Sequence, residues 1–540
     1  MSRWMSGSSL CCFSSGILMR RTWRVAMVFS ALAAPVQGQV VTSQYDNGRS
    51  GATLNEKILT PENVNSKQFG KLGAFEVDGA VYAQPLFLPG VEVPGKGAHN
   101  VLFVATEHDT VYAFDAERPG DAPLWQVSLL DKQQGATPVA TRDVQCPFIQ
   151  PEVGITSTPV IDRKSGTLYV LARSKVSRTF GTNEYLQHLH ALAITTGVEK
   201  FGGPKLITAS VPGRAKDAVN GEVRFNALRE NPRASLLLVD GAVLLTWASS
   251  CDIEPYHGWV MAYDAETLAQ KAVLNVTPDG REGGIWESDT GPGVDASGNI
   301  FVPTGNGTFD VDSGGRDYGD SLLKLGLEKA SIVIRDSFTP YDQAAMNEDD
   351  ADLGSSGPLL LPDQPGAHRH LLLQPTKAGM LYMIDRDQLG KFHKDGNAIV
   401  QEMKLGGSGY GAMAYWNRHV FFAANDDFLR DFELDNGTIR QYKSANVRFK
   451  NPGATPTISS NGVANGIVWA VATKTWDGHD QPAILYAFDA KDVGRTLYTS
   501  EENSARDRAG LATRFVIPVV VNGRVYVGVR GKVEVYGLLK

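Results

Sequence analysis

The chain has 540 residues, 42% of them hydrophobic, 21% charged and 9% aromatic, with 56 glycines and 27 prolines. That mix excludes a disordered chain, a coiled coil and a polytopic membrane protein, and it favours many turns over long helices. A net charge of −7 argues against a general nucleic-acid binder, which needs a basic surface to meet phosphate.

At the N-terminus, Arg20, Arg21 and Arg24 precede an apolar run from Val25 to Val36, and small residues end in Val36-Gln37-Gly38. This order predicts a secretory leader over residues 1–38, for which Met19 is a natural start. The run is too short to span a bilayer, which takes about 20 residues; no transmembrane segment is expected. The expected mature unit is a single domain, 39–540, exported to the periplasm or beyond the cell. Losing the four arginines of residues 1–38 leaves 48 basic against 59 acidic side chains, a net −11. Cys11 and Cys12 leave with the leader. Cys146 and Cys251 remain, an even pair in an oxidising compartment, which predicts a disulfide; two separate buried thiols are the alternative. No Cys-x-x-Cys-His occurs, so no attached haem is expected.

Beyond the leader one phrase recurs: an apolar strand, a turn, then a second strand that often ends in Asp-Ala. It is read at Leu102–Ala105 with Val111–Ala116, Leu168–Ala172 with His190–Ala193, Val243–Trp247 with Val260–Ala265, and Ile300–Pro303 with Ser321–Leu325. It continues at Leu371–Pro375 with Met380–Asp385, Val420–Ala424 with Phe428–Leu434, Ile467–Ala472 with Leu485–Ala490, and Val525–Val529 with Val533–Tyr536. The strands are short, alternating or continuously apolar, and bounded by Gly, Asn or Asp. Eight copies over residues 39–540 give about 63 residues each, enough for a four-stranded blade with loops. A lone blade cannot bury both faces, whereas a ring of blades can. The fold read here is all-β, an eight-bladed β-propeller, with seven blades the competing count. The last copy is one strand short, and Lys71–Val77 is expected to supply it, closing the ring between the termini.

Asp115-Ala116…Leu124-Trp125 and Ala262-Tyr263-Asp264-Ala265-Glu266-Thr267 resemble the repeat of pyrroloquinoline quinone (PQQ) dehydrogenase propellers, and the resemblance spans most of the mature chain. Assembly proteins without enzymatic activity share that repeat, so it implies the fold and not a reaction. Shorter motifs carry the chemistry. Lys377-Ala378-Gly379-Met380-Leu381-Tyr382-Met383-Ile384-Asp385-Arg386 is similar to a stretch of quinoprotein alcohol dehydrogenases whose lysine contacts the quinone oxygens; a lysine there stabilises a developing anion. Thr304-Gly305-Asn306-Gly307 resembles a motif whose asparagine oxygen ligates Ca²⁺, a hard cation that seeks oxygen donors. Asp349, Asp350 and Asp352 stand where those enzymes carry their aspartate base and a metal ligand. Trp286 is the expected ring platform.

Two departures from the family pattern stand out. The calcium-binding glutamate falls at Ile253, with Asp252 and Glu254 on either side, and an arginine of the pattern is His257. The adjacent-cysteine disulfide that covers the cofactor in many of these enzymes has no counterpart after the leader, although Cys146 and Cys251 can cap the same end. Glu152 opens the second blade, and Arg229 and Arg233 open the third, where a guanidinium fork suits planar anions. His257, Tyr256 and Trp259 equally suit sugar stacking.

These residues leave three functions open. One is a quinoprotein-like propeller whose central funnel binds a small molecule, a glycan or an envelope protein. Another is a PQQ- and Ca²⁺-dependent alcohol or sugar dehydrogenase, and the last is a propeller polysaccharide lyase or hydrolase. The site is expected to draw on Asp349, Asp352 and Lys377 for chemistry. Trp286, Arg229, Glu152 and His257 join Lys377 for a cofactor, and Asn306, Asp352, Asp252 and Glu254 hold a metal.

Overall fold

The computed structural model describes residues 38–474 and 480–540; the leader read over 1–38 lies almost wholly outside them. Blade one consists of Leu86–Val93, Gly97–Ala105, Thr110–Asp115 and Trp125–Ser128, each antiparallel to the next. Blades three to seven repeat this meander, starting at Leu237–Val239, Gly293–Val294, Leu359–Leu360, Ala414–Trp416 and Thr457–Asn461. Blade two, starting at Val160–Asp162, also carries a small hairpin, Thr137–Ala140 with Glu152–Val153, on the far half of Thr167–Ser177. In blade eight the long strand Arg524–Leu538 pairs first with Val519–Val521 and then with the N-terminal strand Phe69–Ala80. Eight blades are present, and the ring closes between the two ends of the chain as the short last repeat implied.

Period-two alternation explains why these strands are apolar on both faces. In blade three, Val243, Leu245, Met261 and Tyr263 pack against Tyr169 and Leu171 of blade two. The intervening Leu244, Val260 and Ala262 pack against Val302 and Leu323 of blade four. Each blade thus contributes one face to each of two interfaces. Burying one such large side chain stabilises the fold by about 1.5–3 kcal/mol, so the ring is held by the sum of its blade contacts.

The N-terminal segment has a second role. Val40 exchanges hydrogen bonds with Phe87 at 2.8 Å, and the carbonyl of Val41 accepts from Ile161 at 2.9 Å. Tyr45 is hydrogen-bonded to Val520, and the Asn47 amide donates to Leu238. The carbonyls of Asn47, Gly48, Ser50 and Gly51 accept from Val294, Leu360, Tyr415 and Ile458 at 2.7–2.9 Å. Each partner belongs to, or directly adjoins, the first strand of a different blade. A segment that reaches the first strand of all eight blades must run through the axis.

Candidate functional site

In an up-and-down blade, the loop between strands two and three and the link to the next blade emerge at the same end. At that end, loops from several blades line a cavity of about 100 Å³, counted as the space open to the centres of water molecules. The chain from 141 to 151 lends it Cys146 and Phe148, and the links before blades three, four and five lend Arg233, Trp286 and Asp352. Blade three lends Ser249–Asp252 from between its second and third strands, and blade five lends Lys377 from the same position. Tyr410, Arg514 and Phe515 complete the wall.

Lys377 sits at the centre of a charged cluster. Its Nζ is 2.5 Å from Asp350 Oδ1 and 3.0 Å from Asp352 Oδ2. Asp352 Oδ1 accepts the backbone N–H of Asn306 at 2.9 Å, and the Asn306 side-chain amide donates to Asp350 at 2.8 Å. The amide oxygen of Asn306 is left buried and without a hydrogen bond from the described residues. Gly305 explains why this turn is tight: a Cβ there would lie 2.2 Å from Asp352 Oδ1 and 2.9 Å from Trp286 Nε1. Only glycine lets the indole and the carboxylate approach the same backbone.

Burial and crowding raise the acids here. Asp252, whose Oδ1 accepts the Tyr256 hydroxyl at 2.8 Å, is pushed up to about 6 by burial and then by the charge of Asp352. Asp320 is pushed up to about 8 by the same two causes. Asp352 is itself raised by burial, against the pull of Lys377. With Asp350 this makes four carboxyl groups around one lysine, an excess of acid that a cation would relieve. Among the described residues, no group of three or more His, Cys, Asp or Glu side chains is gathered as a metal site.

The lining also has a cationic and aromatic part. The Arg514 guanidinium lies 3.8 Å over the Phe148 ring, and that of Arg233 lies 5.0 Å over Phe515. Burial, with Arg233 nearby, lowers Arg514 to about 10. The expected disulfide joins Cys146 to Cys251, and both cysteines line the cavity. It ties the 141–151 loop to blade three beside Asp252.

The structure thus gathers Lys377, Asp352, Trp286, Asp252, Asn306 and both cysteines. It does not gather the rest. Asp349 is exposed at the end of the short helix Gln343–Glu348. Glu254 is spent on an ion pair with Arg281 at 2.9 Å, and Glu152 on His108 at 2.7 Å. His257 is buried between Thr277 and Asp217, 3.1 Å from each. Arg229 lies outside the cavity lining. Tyr410 and the adjacent pair Arg514 and Phe515 lie in links between blades with no motif around them, so nothing in the sequence marks them.

No family model and no curated protein sequence matches the chain. Solved structures do. The quinohemoprotein alcohol dehydrogenase from Comamonas testosteroni aligns with a TM-score of 0.59 at 14% identity, over 94% of this chain and 81% of that one. Quinohemoprotein alcohol dehydrogenase ADHIIG from Pseudomonas putida HK5 gives 0.59 at 14%, over 93% and 80%. A europium-containing methanol dehydrogenase gives 0.59 at 13%, over 93% and 98%. The chain has the eight-bladed quinoprotein alcohol dehydrogenase-like fold. No helix among the described residues is long and apolar enough to cross a membrane.

Proposed function

We propose that the cavity binds PQQ together with Ca²⁺ and that the protein is an exported dehydrogenase acting on an alcohol or sugar hydroxyl. The observation that carries this reading is the meeting of Lys377, Asp352, Asn306 and Trp286, drawn from four separate links and loops: Lys377, Asp352 and Trp286 line one cavity, and Asn306 is hydrogen-bonded to Asp352. The buried, unpartnered oxygen of Asn306 suits a hard cation, with Asp352 and Asp252 as neighbouring carboxylates. Arg233 and Arg514 suit the carboxylates of a planar anion, and Trp286 and the Cys146–Cys251 disulfide offer it flat surfaces. The disulfide also supports an oxidising compartment.

PQQ supplies a two-electron acceptor when bound. The chain supplies the rest. Asp352, raised by burial, is the base for a substrate hydroxyl, since a carboxylate tuned upward takes a proton more readily near neutral pH. Lys377 holds Asp352 in place and presents a positive charge to an oxygen that gains electrons. A reading as a binding propeller without turnover draws on Ile253, which replaces a carboxylate ligand with an alkyl group. Reduction of an artificial dye separates the two readings. The protein loaded with PQQ and Ca²⁺ should reduce the dye with a primary alcohol or an aldose, and Asp352→Asn should lower the rate at least a hundredfold. A loaded protein that is inert across alcohols and sugars would leave the binding reading in its place.

A further inference from the structure

Trp286 and Ser288 both line the cavity, and Glu287 between them is fully buried. Glu287 and Ser288 have φ of 44° and 35°, a left-handed conformation that side-chain-bearing residues keep only when their surroundings hold it. Part of the hold is local. The Thr290 N–H donates to the Glu287 carbonyl at 2.8 Å, and the Ser288 hydroxyl donates to the Ser355 carbonyl at 2.7 Å. The other part comes from the axial segment. Arg49 is fully buried; its Nε donates to the carbonyls of Gly291 and Pro292 at 3.2 and 3.0 Å. Its Nη1 donates to Thr42 Oγ1 at 3.0 Å and to the Ser43 carbonyl at 2.9 Å. One guanidinium therefore joins the axis to the loop that carries Trp286. Gly291 permits the approach, since a Cβ there would lie 3.2 Å from Arg49 Nη2 and 2.1 Å from Ser235 Oγ. Burial holds the Glu287 carboxyl well above the usual range, and Arg49 is the charged group that pulls it back.

We propose that Arg49 is a positioning residue for the ligand site, holding the 286–292 loop from below so that Trp286 and Ser288 face the cavity. The axial segment is then part of the site although it does not line it. A lysine cannot replace Arg49, because a single ammonium lacks the rigid fork that reaches two carbonyls on one side and Thr42 with Ser43 on the other.

The test uses the full chain labelled with 5-fluorotryptophan and read by fluorine NMR, with the Trp286 resonance assigned from Trp286→Phe. In Arg49→Lys and Arg49→Met the Trp286 resonance should shift or broaden, while those of Trp247, Trp259 and Trp469 in the blade interiors stay in place. An unchanged Trp286 resonance in Arg49→Lys overturns the proposal. So does a common shift of all the resonances, which would mark a general loosening of the ring. If Arg49→Met does not fold, Arg49→Lys, which keeps the charge, decides alone. The ligand readout rests on the PQQ reading: PQQ with Ca²⁺ should bind about tenfold more weakly to Arg49→Lys. If the unaltered chain binds no PQQ, that reading fails, and the NMR comparison still decides the role of Arg49.

Discussion

Lys377 compensates a buried carboxylate, and its removal has a sign that can be worked out. Asp352 is held above the ordinary carboxyl range. A carboxyl with a raised folded-state pKa contributes stability below its unfolded pKa and loses it as pH rises through the folded value. Without Lys377 the upward shift grows. Lys377→Met should therefore cost about 1–3 kcal/mol near neutral pH and much less in acid, where Asp352 takes a proton, as read from urea unfolding at two pH values. Asp252, pushed up to about 6, gives a second prediction. If Ca²⁺ binds as proposed, it competes with that proton, so stabilisation of the chain by Ca²⁺ should be weak at pH 5 and strong at pH 7.5. Thermal unfolding with and without Ca²⁺ reads this, and Asn306→Ala should remove the difference. Lys377, Asp352, Asn306 and Trp286 were legible in the sequence because each lies in or beside a short motif that a turn enforces. Glu152, Glu254 and His257 were not separable from them in sequence. Their polar groups are satisfied by His108, Arg281, and Thr277 with Asp217, and those pairings exist only once the blades are packed.

The strands inside the blades could be read because burial on both faces produces short apolar runs between turn residues, copied eight times. The axial segment could not. Val40 to Gly51 touches all eight blades chiefly through backbone groups, which leave no pattern of side chains behind. The turn at 304–307 is the element on which the site depends most. Gly305→Ala places a methyl against Asp352 and Trp286, so it should cost about 1–3 kcal/mol and displace both side chains from the cavity. The expected signature is a nearly native far-ultraviolet spectrum with an altered tryptophan emission. Native emission with unchanged stability would show that the turn tolerates the added carbon.

The whole ring is closed by Phe69–Ala80 against Arg524–Leu538, and the disulfide pins the 141–151 loop to blade three. The cysteines are 105 residues apart, so the bond removes a large loop from the unfolded ensemble. Replacing both with serine should lower stability by about 2–4 kcal/mol in denaturant titrations, with the slope and the β-sheet spectrum retained. The account as a whole stands on the claim that the cavity at the end of the ring takes a planar anionic quinone beside a cation. The measurement that tests it most directly is equilibrium binding of PQQ in the presence of Ca²⁺, followed by tryptophan fluorescence in the unaltered protein and in Lys377→Ala. Saturable micromolar binding that requires Ca²⁺ and is lost in the variant is the result predicted. Absence of binding by a fully folded protein, or equal binding by the variant, would contradict it.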